Sequence, residues 1–285
     1  MENKNDVKIC ILCLCSHHQI FQYQVMVDKN TWIKHAQEEG IDVYRYEGSN
    51  RNEIIDDIIY CDCEDDFWHT YEKTICAFQQ LDIDKYDFVV RTNLTTYINP
   101  KILIQYCQFL KDNNYNIANG CLCIKDNIIN YRGNSLILDN MVCHYLLDHI
   151  HPNTEHVQDD GVFQEVFKNI DNLKIHSVPF RYYCKEEYFK YHPQTIKEIT
   201  KENLEGIVFI SYRITEINKI NTDKLHEKYR YIELGRCYEI DSVYNQLENN
   251  SIKDNFGLIY DGDINKFKKN INTIIQQNNQ LQYIC

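Results

Sequence analysis

Apolar and polar positions alternate along this chain with periods that change from segment to segment, and the changes mark out its elements. Residues 7–15 form a short, nearly unbroken apolar run of strand length. A polar turn at Ser16–His17–His18 follows, and then a helical spacing over about 22–38 that contains Trp32, with Gly40 as its stop. IDVYRYEG (41–48) alternates as a strand does, and residues 54–61 hold another apolar run. In DDFWHTYEKTICAFQQL (65–81) Phe67, Tyr71, Thr74, Ile75 and Phe78 recur at three- and four-residue intervals, which predicts a helix with Asp65 and Asp66 favouring its amino end. YDFVVRTNLTTYINP (86–100) opens as a buried strand, continues through small polar residues, and leads to a helix beginning near Pro100. Strand and helix thus alternate over the first 110 residues or so, the pattern of a parallel sheet with crossovers.

The second half is less regular. Residues 115–132 predict two short strands, and Gly133 breaks the run before a helix over 138–149. In HVQDDGVFQEVF, Val162, Phe163, Val166 and Phe167 share one helical face, with Asp159 and Asp160 at its start. Residues 173–184 and 207–214 read as strands, and 224–247 and 264–280 as helices. The expected organisation is one α/β domain over 1–215, with a helical C-terminal extension over 216–285 packed on it.

Composition narrows the functional classes. The 285 residues carry a formal charge of −12, which argues against a general nucleic-acid binder, because that would need a basic face. The start, MENKNDVKICILCLC, is polar and acidic with a short apolar run, unlike a signal peptide. No stretch reaches the length of a membrane span, so the expectation is a cytoplasmic protein, or one in a host's cytoplasm. The 13 cysteines, many inside apolar runs, lack paired CxxC knuckles at zinc-ribbon spacing and read as free thiols acting as small apolar side chains.

Each chemical feature has a plain local reading. Asp159–Asp160 at a helix start suits a cap, Arg91 at a strand end suits a pair with a nearby carboxylate, Lys73 suits a solvated helix face, and Tyr131 suits the core. Their order says more. The chain resembles the inverting GT-A glycosyltransferases of the β1,3-galactosyltransferase and Fringe type. DKNTWIK (28–34) is similar to the family's first helix. DDFWHTYEKTICAF (65–78) is similar to its "sYxNLTxKT" segment, with Lys73–Thr74 on the Lys-Thr. YDFVVRTNLTTYINP stands at the strand and acidic DxD loop, and YRGNSLILDNMV (131–142) and QDDGVF (158–163) resemble the "sGxGyvlS" and "EDV" segments.

The resemblance implies a GT-A-like, Rossmann-type mixed sheet flanked by helices, a nucleotide-sugar donor (a UDP-sugar first) and a glycan acceptor. It implies Asp160 as the base that deprotonates the acceptor, with Asp159 as its neighbour or helix cap. Gly133, Asn134 and Ser135 would shape the acceptor side. The family's loop binds a divalent metal, but here the triplet is Asn93–Leu94–Thr95, and neutral side chains are poor ligands for Mg²⁺ or Mn²⁺. The expectation is therefore that no metal is required and that cations grip the diphosphate. Arg91, Lys73 and Arg213 are the candidates, with Thr92, Asn93, Thr95 and Ser16 beside them on the donor side. The rival expectation is a non-catalytic GT-A-like fold serving as a carbohydrate-binding or scaffolding module.

Overall fold

A computed structural model describes residues 7–17, 19–66, 68–120, 123–125, 128–131, 133–151, 159–183, 195–196 and 206–212. Its centre is an eight-stranded sheet. β1 (Ile9–Leu14) lies between β2 (Asp42–Ser49) and β5 (Phe88–Asn93), all parallel. β4 (Ile58–Asp62) extends the sheet beyond β2, and β3 (Glu53–Ile55) closes that side as an antiparallel hairpin partner. That two-residue hairpin turn requires positive φ, and Asp56 supplies it at 53°. On the other side β10 (Leu136–Asp139) runs antiparallel to both β5 and β7 (Ile117–Asn119), and β11 (Ile175–Ser177) pairs parallel with β7. A smaller sheet has the order β13 (Thr195–Ile196), β12 (Phe180–Tyr183), β14 (Phe209–Tyr212), β6 (Thr96–Ile98), and β8 (Cys123–Lys125) pairs with β9 (Ile128–Asn130).

Helices cover both faces. Ile9, Ile11 and Cys13 of β1 point toward α1 (Gln19–Asn30), α2 (Trp32–Glu38) and α4 (Pro100–Asp112). Cys10 and Leu12 point toward α3 (Thr70–Gln80), α5 (Asn140–Asp148) and α6 (Asp159–Phe167). A parallel strand buried on both sides reads as a continuous apolar run rather than an alternation, which is why residues 7–15 look as they do. This is the α/β class expected, a Rossmann-type mixed sheet with helices on both faces. Val162, Phe163, Val166 and Phe167 are all buried, and each such side chain contributes about 1.5–3 kcal/mol through burial, enough to fix α6 against α3.

Several boundaries differ from expectation. The helix expected over 22–38 is two helices with Thr31 between them. Thr31 Oγ1 donates to the Val27 carbonyl at 2.8 Å. Gly40 does end α2: with φ +80° it lets its own amide and that of Ile41 reach the Gln37 and Ala36 carbonyls. Residues 115–132 hold three short strands rather than two, and residues 136–139, the first part of the predicted 138–149 helix included, form β10 instead. The expected helices over 224–247 and 264–280, and with them the extension over 216–285, lie outside the described residues. Among the described residues, no helix is long and apolar enough to cross a membrane. The eight cysteines whose side chains are described are free, and seven of them are buried.

One packing feature gives a pH prediction. His176 of β11 sits among Tyr106, Phe109 and Tyr115, with Nδ1 2.6 Å from the Tyr106 hydroxyl. Burial lowers its pKa from 6.5 to about 4. Between those values the unfolded chain binds the proton more readily, so acid favours unfolding. This histidine should cost up to about 1.4 kcal/mol of stability per pH unit in that window. Urea titrations between pH 7 and 5 should show this slope, flattened in His176→Gln; an unchanged slope would contradict it.

Candidate functional site

The strand order fixes where a ligand crevice can form. From β1 the chain proceeds through α1 and α2 to β2 on one side; from β5 it proceeds through α4 to β7 on the other. Beyond the carboxyl ends of two such adjacent strands a crevice opens, and ligands of open α/β sheets bind there. In register, Leu14 pairs with Asn93 and Cys13 with Thr92, so the edge carries Ser16 and His17 from one strand and Asn93, Leu94 and Thr95 from the other.

Arg91 and Asn93 project to the same face as Val89, the side of α3 and α6. There Arg91 Nη2 meets Asp159 Oδ2 at 2.5 Å, with side-chain exposures of 2% and 6%. The same guanidinium donates through Nη1 to Asn93 Oδ1 and to the Gly133 carbonyl. A Cβ on Gly133 would overlap the Arg91 guanidinium, so only glycine admits this approach. Asp159 Oδ2 also lies 3.1 Å from Thr74 Oγ1, which is 2.9 Å from the Tyr46 hydroxyl. Burial foremost raises the Tyr46 pKa; the Arg91 charge opposes that and Asp159 adds to it.

A second cluster closes the neighbouring edge. Asp65 accepts from Ser16 Oγ at 2.7 Å, the His17 amide at 2.8 Å, the Gly48 amide at 3.0 Å and Lys73 Nζ at 3.1 Å. Burial works to raise its pKa, but the Ser16 bond, the Lys73 charge and the two amides outweigh it and hold the carboxyl below its usual value. A Cβ on Gly48 would come within 2.6 Å of the Asp65 Cα, so the loop after β4 lies directly on β2. Asp65 therefore does not act as the expected charge at the start of α3; Asp66 takes that place, accepting the Trp68 and His69 amides at 2.8 and 3.0 Å.

The fold brings Arg91, Asn93, Asp159 and Gly133 together, with Asn134 and Ser135 alongside: Thr92 Oγ1 donates to the Asn134 carbonyl at 3.1 Å, and Ser135 Oγ accepts the Gly120 amide. It places Ser16 and Lys73 one strand away, on Asp65. Both cations are committed to carboxylates. The Lys73 side chain is 3% exposed, against the expectation of a solvated helix face, and Lys73 also donates to the Asp66 carbonyl at 2.9 Å. Thr95 is half-buried, with its carbonyl accepting from Ser211 at 3.2 Å. Tyr131 is core, edge-on to Phe167, whereas Trp68 is 52% exposed. Arg213 and the side chain of Asp160 lie outside the described residues, although the Asp160 backbone belongs to the first turn of α6.

The β5 exit does not fit a divalent metal. Asn93 Oδ1 is engaged by Arg91, Leu94 is buried in the core, and the turn carries no carboxylate. Sequence reasoning missed Asp65 and Tyr46 as organisers of this edge. A row of three acids, of which a helix start needs one, was the available signal for Asp65. For Tyr46 the strand alternation marks only a face.

A scan against protein-family models finds no match, and neither does a search of curated proteins. Among solved structures the chain is similar to the catalytic domain of Drosophila β1,4-galactosyltransferase 7 in complex with xylobiose. That likeness has 12% identity and a TM-score of 0.39, over 60% of this chain and 65% of that one. It is similar to a glycosyltransferase involved in the glycosylation of the major capsid of PBCV-1, with 12% identity and a TM-score of 0.46, over 80% of this chain and 99% of that one. A mutant of the Drosophila enzyme in complex with manganese, UDP-Gal and xylobiose aligns at 12% identity and a TM-score of 0.42, over 79% and 80%. The chain spans just under two thirds of the first of these. None of them assigns a role to a residue here.

Proposed function

We propose that this chain is a glycosyltransferase that moves a sugar from a nucleotide-sugar donor, a UDP-sugar first, to a hydroxyl of a glycan acceptor with inversion. One observation carries the reading. Residues from three separate stretches of the family likeness, Arg91, Gly133 and Asp159, with Thr74 from a fourth, meet at the carboxyl edge of the sheet.

In this reading the acceptor oxygen attacks the anomeric carbon as the bond to the diphosphate oxygen breaks. The nucleoside diphosphate leaves with the electron pair, and the acceptor proton passes to the Asp160 carboxylate. Asp159, fixed by Arg91 and Thr74, is a positioning residue that sets the start of α6. Arg91 lies buried at the β5 exit with its charge matched by Asp159, so on the donor side it acts by holding Asn93 and Gly133 in place rather than as an open cation. Arg213 and the Asp65-bound Lys73 are the further cations, Thr92, Asn93, Thr95 and Ser16 line the donor side, and Gly133, Asn134 and Ser135 the acceptor side. In this reading no metal is required at the β5 exit, and the protein works in the cytoplasm or a host's cytoplasm.

That both described cations are already paired favours, as a second reading, a carbohydrate-binding module without turnover. Thermal shift against a panel of nucleotide sugars in EDTA, followed by a nucleoside-diphosphate release assay, tests the proposal. The expected result is a raised melting temperature and measurable turnover with one donor. No shift with any common donor, with EDTA or with Mn²⁺, would overturn the transferase reading; a shift without turnover leaves the module.

A further inference from the structure

The loop between β4 and α3 carries a ligand set that the sugar-transfer reading does not use. Glu64, Asp66 and His69 each place a carboxylate oxygen or imidazole nitrogen within 4.8 Å of the other two. The loop is held from below: Gly48 leaves no room for a side chain beneath Asp65, and Asp65 ties it to the ends of β1 and β2 and to α3. Asp66 Oδ1 is fixed by the Trp68 and His69 amides and lies 2.6 Å from His69 Nδ1. His69 is 9% exposed, Asp66 partly buried and Glu64 exposed. The three groups thus form a set anchored on its inner side and open to water on its outer side, as a cation site with exchangeable water ligands requires.

We propose that Glu64, Asp66 and His69 form a divalent transition-metal site, of the Zn²⁺ or Mn²⁺ class. Two carboxylates with one imidazole suit those ions better than Mg²⁺ or Ca²⁺, which prefer oxygen alone. The local charge agrees. Glu64, Asp65 and Asp66 are consecutive acids, and the Lys73 ammonium that reaches this loop is matched by Asp65. The ion sits at the same carboxyl edge as the β5 exit, on a loop that also carries the exposed Trp68. The site stands apart from the donor reading, and its test needs no sugar nucleotide.

The test is titration of the full chain with Zn²⁺ by calorimetry and with Mn²⁺ by loss of the free-ion EPR signal. Saturable one-to-one binding of at least one ion is expected. Glu64→Gln, at an exposed position, should keep the wild-type melting temperature of the metal-free protein and weaken binding by at least roughly tenfold, and His69→Gln should weaken it as much. Glu53→Gln, an exposed acid on β3, should leave it unchanged. Absence of saturable binding of either ion, or equal affinity in wild type, Glu64→Gln and His69→Gln, would overturn the proposal.

Discussion

Asp160→Asn is expected to lower sugar transfer by about 10²–10⁴-fold, the range a positioned general base supplies, while leaving the donor-induced thermal shift intact. The substitution keeps the size and the helix-start position of the side chain but removes the group that takes the acceptor proton. The neighbouring Asp159 cannot readily replace it: its Oδ2 is held at 2.5 Å by Arg91 and at 3.1 Å by Thr74. Its proton affinity is thus tied to a pair that also anchors β5 to α6. If Asp160→Asn turns over at the wild-type rate, the acceptor proton goes elsewhere and the assignment of the base fails.

Arg91→Met should destabilise the fold by about 3–5 kcal/mol, because removing one partner of a buried ion pair strands the other. Asp159 would keep Thr74 but lose its counter-charge, and the Gly133 carbonyl and Asn93 Oδ1 would lose the donor they share. The double variant Arg91→Met, Asp159→Asn should recover most of that loss, since no buried charge remains unmatched. Urea denaturation of the two single variants and the double variant measures the coupling. Additive effects would mean that the two side chains do not depend on each other in solution.

Much of this architecture was legible in the sequence, for physical reasons that also explain the rest. The strands at 7–15 and 86–91 and the α6 face of Val162, Phe163, Val166 and Phe167 stood out because burial imposes a period on the residues themselves. Pro100 announced α4 because its fixed φ suits a helix start; the structure adds the cap, Asn99 Oδ1 accepting the Ile102 amide at 3.2 Å. β10 was hidden because Leu136, Ile137 and Leu138 form a run too short to carry a period of its own, separated from the apolar positions of α5 only by Asp139 and Asn140. The site was legible as a set of residues and not as a geometry. Arg91 could be placed at a strand end and Asp159 at a helix start. That they meet although 68 positions apart in the sequence follows only from packing α6 beside α3, and that meeting makes Arg91 a buried partner rather than an open cation. Lys73 shows the same limit, since its partner Asp65 stood in the sequence as a helix-start charge.

The most direct measurement is the structure of the chain bound to its stabilising nucleotide sugar. The diphosphate should lie beyond the carboxyl ends of β1 and β5, against the turn at Asn93–Thr95, with Arg91 and the start of α6 beneath it. A polar cleft of about 510 Å³ at the opposite edge of the sheet, lined among others by Asp84, Tyr86, Lys111 and Asn140, is the physical alternative. A donor found there, with the Arg91–Asp159 edge empty, would contradict the account.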